Sequence, residues 1–356
     1  MGIENDDMPQ GSSNHNSQFS ILNSQFMNMK YSIIVPVYNR PDEVAELLES
    51  LSTQTCKDFE VVIVEDGSKI PCKDVCDKYA GILDLHYYFK DNSGPGPSRN
   101  YGVERAQGEY VIILDSDVVL PVGYMAAVDS SLTTLHSSLG DEITAFGGPD
   151  AAHESFTDVQ KAISYAMTSF FTTGGIRGGK KQLDKFYPRS FNLGIRREAY
   201  LKLGGFSQTR FSKMSLYGED IDFSLRIFRA GYTCRLFPDA WVWHKRRTDF
   251  KKFWRQVYNS GYARVNLWRM YPEALKPVHA LPSVFTLGCL GLLLLAPFTC
   301  GLSLTLLLLY ALLILIDSSI QSKSLKVGFL AVAAVFVQLI GYGIGFLESL
   351  FSGKLR

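Results

Sequence analysis

Cysteine is scarce in this chain. There are six among 356 residues: Cys56, Cys72, Cys76, Cys234, Cys289 and Cys300. Only Cys72 and Cys76 lie close together, and no second pair follows at zinc-finger spacing. A disulfide scaffold and a structural zinc site are therefore both excluded as organising devices, and free thiols in a reducing compartment are expected. Net charge is also nearly absent: 36 Lys+Arg against 35 Asp+Glu leave +1, which gives no sign of a nucleic-acid partner. No Gly-Lys-Ser/Thr follows a glycine-rich loop, and there is no G-x-G-x-x-G, so neither a P-loop nor a dinucleotide fingerprint is present. Residues 1–28 are polar, rich in Asn, Ser and Gln, and lack the apolar h-region of a secretory leader. They read as a disordered tail. Met29 stands just before the first strand, and N-terminal sequencing would show whether translation starts there rather than at Met1.

The most informative absence is local. From Leu281 to Ile316 there is no charged residue. As one helix this run would be about 54 Å long, against about 30 Å for a hydrocarbon core. Ala296–Gly301 supplies a break, so two spanning helices joined by a tight turn are expected. A second apolar run, Leu325–Leu350, suggests a third span, which Gly341, Gly343 and Gly345 weaken. The expectation is two or three spans within residues 277–356. Just before them, residues 240–276 hold nine Lys/Arg and two Asp/Glu. By the positive-inside rule this places the large N-terminal part in the cytoplasm, on a multi-pass inner-membrane protein. Lys354 and Arg356 pull the other way for three spans. Within residues 246–276, Phe250, Phe253, Trp254, Val257, Val265 and Trp268 recur at helical spacing, flanked by Lys251, Lys252, Arg255, Arg264 and Arg269. That pattern predicts an amphipathic helix over Asp249–Met270, lying on membrane lipids.

Residues 29–245 alternate strand and helix. Tyr31–Val37, Phe59–Val64, Leu85–Phe89 and Tyr110–Leu114 are apolar runs without alternation, separated by helical lengths. They predict a mostly parallel sheet covered on both faces. Asn39 is a plausible cap for the first helix, with Pro41 in its first turn. Polar residues follow several strands, where such sheets bind ligands. Asp115-x-Asp117 can hold Mg²⁺ or Mn²⁺ beside substrate phosphates, although a turn with two Asp reads the same way in isolation. Glu65-Asp66 can accept from a base N–H or a ribose hydroxyl, or simply make a turn. Asn92–Arg99 offers backbone N–H groups and a guanidinium suited to a diphosphate. Glu219-Asp220 opens a helix, as a cap or as a general base. His244, paired with Asp117, would complete a metal site.

Several motifs occur in one order: Val35-Pro36-Val37-Tyr38-Asn39, Glu65-Asp66-Gly67-Ser68, Asn92-x-Gly94…Arg99-Asn100, Leu114-Asp115-Ser116-Asp117, Phe191–Glu198…Gly204-Gly205-Phe206, Gly218-Glu219-Asp220 and His244. Over about residues 31–245 this order resembles the family 2 glycosyltransferases with a GT-A fold. The resemblance implies an inverting transfer from a nucleoside-diphosphate sugar, commonly a uridine diphosphate sugar. It implies that Pro36, Tyr38 and Asp66 hold the nucleoside, with Glu65 beside them, and that Gly94 and Arg99 lie near the base or diphosphate. Asp115 would contact ribose and sugar, while Asp117 and His244 would bind Mn²⁺ or Mg²⁺. Asp220 would deprotonate an acceptor hydroxyl, supported by Glu219, and Asn192–Phe206 would shape the acceptor side. The first acid of the family's usual Asp-Asp-Gly-Ser is Glu65 here. The Gln-x-x-Arg-Trp of processive synthases is absent, which points to addition of one sugar to a lipid-linked or glycan acceptor in surface polysaccharide synthesis. A polyprenyl-phosphate sugar synthase is the alternative within the class. Val111–Val119 also matches the Asp-x-Asp start of haloacid-dehalogenase-type phosphatases, but that motif belongs on a chain's first strand and here it follows the fourth.

Overall fold

The computed structural model describes residues 30–139, 143–151, 156–174, 186–207, 218–245 and 247–352. The tail at 1–28, Met29, Lys354 and Arg356 lie outside these described residues. The chain begins β1 (Tyr31–Val37), α1 (Pro41–Ser52), β2 (Phe59–Asp66), α2 (Lys73–Tyr79), β3 (Asp84–Lys90), α3 (Pro95–Arg105) and β4 (Tyr110–Leu114). It continues β5 (Val118–Val119), α4 (Tyr124–Leu139), β6 (Ala145–Gly147), β7 (Asp150–Ala151), α5 (Asp158–Thr168) and α6 (Phe170–Thr173). Then come β8 (Asn192–Arg196), α7 (Arg197–Lys202), α8 (Glu219–Arg229), β9 (Cys234–Leu236) and β10 (Val242–His244). The rest is helical: α9 (Phe250–Met270), α10 (Leu281–Leu295), α11 (Thr305–Ser322) and α12 (Leu325–Ser352).

Seven strands pair in the order β3-β2-β1-β4-β8-β6-β9. The first four are mutually parallel, and β8 runs antiparallel to both β4 and β6. Strand alternation sorts the apolar residues onto two faces. Ile33, Val35, Val61, Ile63 and Ile112 pack with Val44, Leu47, Leu48 and Leu51 of α1 and Tyr124 of α4. Ile34, Val62, Val64, Val111 and Ile113 pack with Val103 of α3, Tyr200 of α7 and Phe223 of α8. Both faces are covered, which is why these strands read as unbroken apolar runs. A second sheet of three short strands, β5-β10-β7, sits beside the carboxyl end of β4 and returns His244 towards it.

Two local expectations are corrected. Arg40, not Asn39, precedes α1, and no side chain caps that helix. Asn39 takes a left-handed φ of 55°, and its Oδ1 accepts from the Lys69 and Ile70 amides at 2.8 and 3.1 Å. The side chain is spent on tying the β2 loop to β1. The second correction concerns α9. Its apolar stripe is divided: Phe253 and Val257 pack with Val335 and Leu339 of α12 and with Ala162 and Ile163 of α5, while Trp254 and Trp268 stay partly exposed. Glycine makes this approach possible. A Cβ on Gly261 would fall 2.1 Å from Tyr342 O, and one on Gly345 would fall 2.1 Å from Tyr258 O. The glycines that weaken α12 as an isolated helix thus serve its packing, and α12 runs unbroken for 28 residues. Three helices, Pro277–Leu295, Leu302–Ser322 and Leu325–Ser352, are long and apolar enough to cross a membrane.

Candidate active site

The parallel strands β1, β2 and β4 end on the same edge of the sheet, and the polar residues that follow them meet there. Asp115, Asp117 and His244 each offer one ligand atom, all within 4.8 Å of one another. His244 Nε2 lies 3.3 Å from Asp117 Oδ1, and its ring stacks on Phe191 with centroids 4.7 Å apart. The Asp150 carboxylate stands 3.8 Å from His244 Nδ1, on the far side of the ring. Arg40 Nη1 reaches Asp117 Oδ2 at 2.8 Å. Burial works against the Asp117 carboxylate, but His244, then Arg40 and Arg247, outweigh it and hold the group well below the usual carboxylate range. Two carboxylates and an imidazole suit a hard or borderline divalent cation that shares its shell with phosphate oxygens. The donor set therefore fits Mn²⁺ or Mg²⁺.

Arg99 joins this cluster to α8. Its guanidinium is buried and forked: Nη2 donates to Asp115 Oδ1 at 2.9 Å, and Nη1 donates to Glu219 Oε1. Gly96 leaves room for that carboxylate, since a Cβ there would lie 2.8 Å from Glu219 Oε2. Burial pushes the Glu219 carboxyl up from its ordinary value, and Arg99 only partly opposes this. Asp220, next in the chain, is partly exposed and accepts from Arg189 Nη1 at 3.0 Å.

The nucleotide-side candidates are distributed differently from the expectation. Tyr38 is half-exposed at the end of β1, and Pro36 is partly buried beneath it. Asp66 is buried, and its oxygens accept from the Ser93 and Gly94 amides at 2.9 and 2.8 Å and from Lys90 Nζ. It clasps the β3–α3 loop to β2. Glu65 is not brought to the site: it is fully buried and accepts from Ser68 Oγ and from the Cys72 amide at 2.7 Å. Arg99 likewise is occupied by carboxylates rather than open to a diphosphate. Asn192–Phe206 forms β8 and α7 inside the sheet and its cover. Asn192, for instance, accepts from Tyr124 OH and donates to Ala240 O. Tyr217, before the Gly-Glu-Asp triplet, is outside the described residues.

Four site residues escaped the sequence reading: Arg40, Asp150, Arg189 and Arg247. Arg40 follows the Pro-Val-Tyr-Asn strand end, a signal of position. Asp150 and Arg189 carry no local signal, because β7 and the loop before β8 reach the site only through strand pairing.

A mostly parallel sheet with Asp-x-Asp at a central strand end, and a histidine returned to it by a small second sheet, defines the GT-A class of fold. Residues 32–128 match glycosyl transferase family 2, and residues 186–344 match glycosyl transferase family group 2. The two matches, to different models, cover separate stretches of the chain and make it similar to the family 2 glycosyltransferases. An uncharacterised glycosyltransferase of Rickettsia felis is 40% identical over 88 residues, 25% of this chain and 15% of that one. The poly(ribitol-phosphate) beta-N-acetylglucosaminyltransferase TarS of Staphylococcus aureus is 42% identical over 93 residues, 25% of this chain and 16% of that one. The chain thus spans only a small part of these relatives' length. Among solved structures, the mannosyltransferase PcManGT of Pyrobaculum calidifontis, in complex with GDP-Man and Mn²⁺, superposes with a TM-score of 0.59 at 19% identity, covering 91% of this chain and 88% of that one.

Proposed function

We propose that this chain is a membrane-anchored inverting glycosyltransferase. It moves one sugar from a nucleoside-diphosphate sugar, with uridine diphosphate the favoured carrier, to a hydroxyl of a lipid-linked or polysaccharide acceptor. The observation that carries the reading is one continuous arrangement: Asp115, Asp117 and His244 on one side, Asp220 on the other, joined through Arg99 and Glu219. Asp117 and His244 would hold Mn²⁺ or Mg²⁺, which when bound neutralises the charge that develops on a departing diphosphate. Pro36 and Tyr38 line the nucleoside side, and Asp66 holds the Ser93-Gly94 loop that borders it. Arg99 fixes Asp115 at the sugar side and Glu219 at the acceptor side. Asp220 receives the acceptor proton, and its partly exposed carboxylate is open to an incoming hydroxyl. The catalytic part is residues 29–245; the apolar helices of 277–356 anchor it to the inner membrane, and the basic stretch 246–276 keeps it on the cytoplasmic face.

A donor screen tests the proposal. Purified full-length protein is given each nucleotide sugar, with and without Mn²⁺, and release of nucleoside diphosphate is measured. Metal-dependent release from at least one donor, lost in Asp117→Asn, is expected. No release from any donor, with lipid acceptors supplied, sinks the reading. The relatives' names add polyol-phosphate polymers to the acceptors worth supplying.

A further inference from the structure

One segment of the catalytic half leaves the sheet and runs against the apolar helices. α5 and α6 carry charge only at their start: after Asp158 and Lys161, no residue from Ala162 to Thr173 is charged. A run this short cannot cross about 30 Å of hydrocarbon. It has the length of a buried helix, or of a segment that enters a membrane part of the way. Ala162, Ile163, Ala166 and Met167 join Ile314 of α11 and Ala331, Ala334 and Val335 of α12 in one apolar cluster. One face of α5 is thus packed on the helices proposed as the membrane anchor.

Polar contacts set the register. At the start of α5, Asp158 pairs with Lys326 Nζ at 2.8 Å, at the head of α12. Further along, Tyr165 OH donates to Asp317 of α11. Beyond it, Tyr310 OH donates to Phe171 O at 3.0 Å. The contacts move from the polar end of α11 towards its middle as α5 gives way to α6. Between Ser322, where α11 ends, and Tyr310 lie about 18 Å of helix. Tyr310 is inside the run without charge, and Leu306 and Leu313, about a turn to either side, are exposed. On α6 itself, Phe170 is 70% and Phe171 42% exposed. The backbone there is met locally. Ser169 Oγ accepts from the Phe171 amide at 3.2 Å, and the Gly174 amide donates to Phe170 O at 2.9 Å. The Thr172 and Thr173 hydroxyls donate to Ser169 O at 3.0 and 2.9 Å. Polar groups paired within the segment are what lipid demands of a chain that enters it.

We propose that α5 and α6 enter the membrane beside α11, with Phe170 and Phe171 in lipid hydrocarbon. The partner is the acyl chains of the bilayer, because the two rings stand next to the leucines that α11 presents to those chains. The inference rests on the membrane-anchor reading of the apolar helices and deepens it. The catalytic half is then held to the bilayer by its own chain as well as through the link to α10. A single link would leave it free to swivel over the surface; a second contact at α6 fixes its orientation.

The test uses the full chain in phosphatidylcholine nanodiscs. One sample carries a phosphatidylcholine with a diazirine midway along an acyl chain, and a second carries the diazirine on the headgroup. Light expels N₂ and leaves a carbene, which inserts into a bond of whatever it touches, and peptide mass spectrometry reads the adducts. Moving one phenyl ring from water into hydrocarbon is worth a factor of about ten to a hundred. Acyl-chain adducts at Phe170 and Phe171 should therefore match those at Leu306 and Leu313. They should exceed by at least about tenfold those at Ile70 and Ile82, exposed apolar residues that flank α2. Adducts from the headgroup probe alone place α6 on the surface and overturn insertion. No adducts from either probe, with Leu306 and Leu313 labelled, mean that protein covers the rings, and overturn it too. Failure to label Leu306 and Leu313 sinks the membrane-anchor reading itself. Phe170→Asp combined with Phe171→Asp should lower the acyl-chain adducts on α6 by about tenfold while those on α11 persist. Undiminished labelling of α6 in that variant overturns the assignment to the two rings, and the wild-type map decides by itself should the variant fail to fold.

Discussion

Arg99→Ala is the sharpest test of how the two halves of the site are joined. The Arg99 side chain is 4% exposed, Glu219 is 9% exposed and Asp115 is 29% exposed. Removing the guanidinium strands Glu219, while Asp115 recovers some hydration. Breaking a buried pair from one side costs about 3–5 kcal/mol, because a charge is left in a low dielectric without its partner. A unit of this size loses about 2–4 °C in Tm per kcal/mol, so the melting temperature should fall by about 6–20 °C. The pH dependence has a definite sign. Burial already raises the Glu219 carboxyl, with Arg99 opposing, so loss of Arg99 raises it further. An acid with a folded-state pKa above its unfolded value favours the fold when protonated, and that contribution is lost as pH rises through the folded value. The variant should therefore melt closer to wild type at pH 5 than at pH 8. Differential scanning fluorimetry of the full chain in detergent, across that range, measures this. Adding Glu219→Gln to Arg99→Ala should raise the melting temperature again, since the stranded charge is gone. A shift of less than about 2 °C, or one independent of pH, would refute the reasoning.

Other consequences follow from the same geometry. Asp117→Asn and His244→Ala should each weaken the metal's effect on nucleoside-diphosphate release by about a hundredfold or more, read by Mn²⁺ titration. Asp220→Asn should slow sugar transfer by about a hundredfold to ten-thousandfold while leaving donor affinity intact, measured by single-turnover transfer beside donor titration. Retained turnover would instead favour a phosphate acceptor. Gly345→Leu should lower the melting temperature by the equivalent of about 1–3 kcal/mol or abolish folding, because the new side chain meets the Tyr258 backbone.

Much of the frame was legible from local pattern. β1 and β4 fall on the residues that the apolar runs marked, and α9 starts within one residue of the expected helix. The break at Ala296–Gly301 separates α10 from α11 as composition suggested. Asp115 and Asp117 stand out as a pair after β4, and the motif order joins His244 to Asp117. Asn39 misled, since a residue preceding a helix looks like a cap whether its side chain turns to the helix or to a neighbouring loop. Glu65 misled in a similar way: an acid at a strand end carries no mark of which way the strand's alternation points it. Here it points into the core.

The sequence by itself determined the element types, the two-faced burial of the sheet and the apolar helices, because periodicity and hydropathy are properties of neighbouring residues. It also fixed which chemistry was on offer: two acids after β4, two at the head of α8, and one late histidine. The tertiary structure alone decided who meets whom. Arg99 sits 16 residues from Asp115 and 120 from Glu219, and no local pattern couples such distances. Arg189 meets Asp220, and Phe253 and Val257 of α9 pack on α12, for the same reason. Pairing across the chain depends on the shapes of the packed surfaces, and the glycines at 96, 261 and 345 declare their purpose only once a second element lies against them.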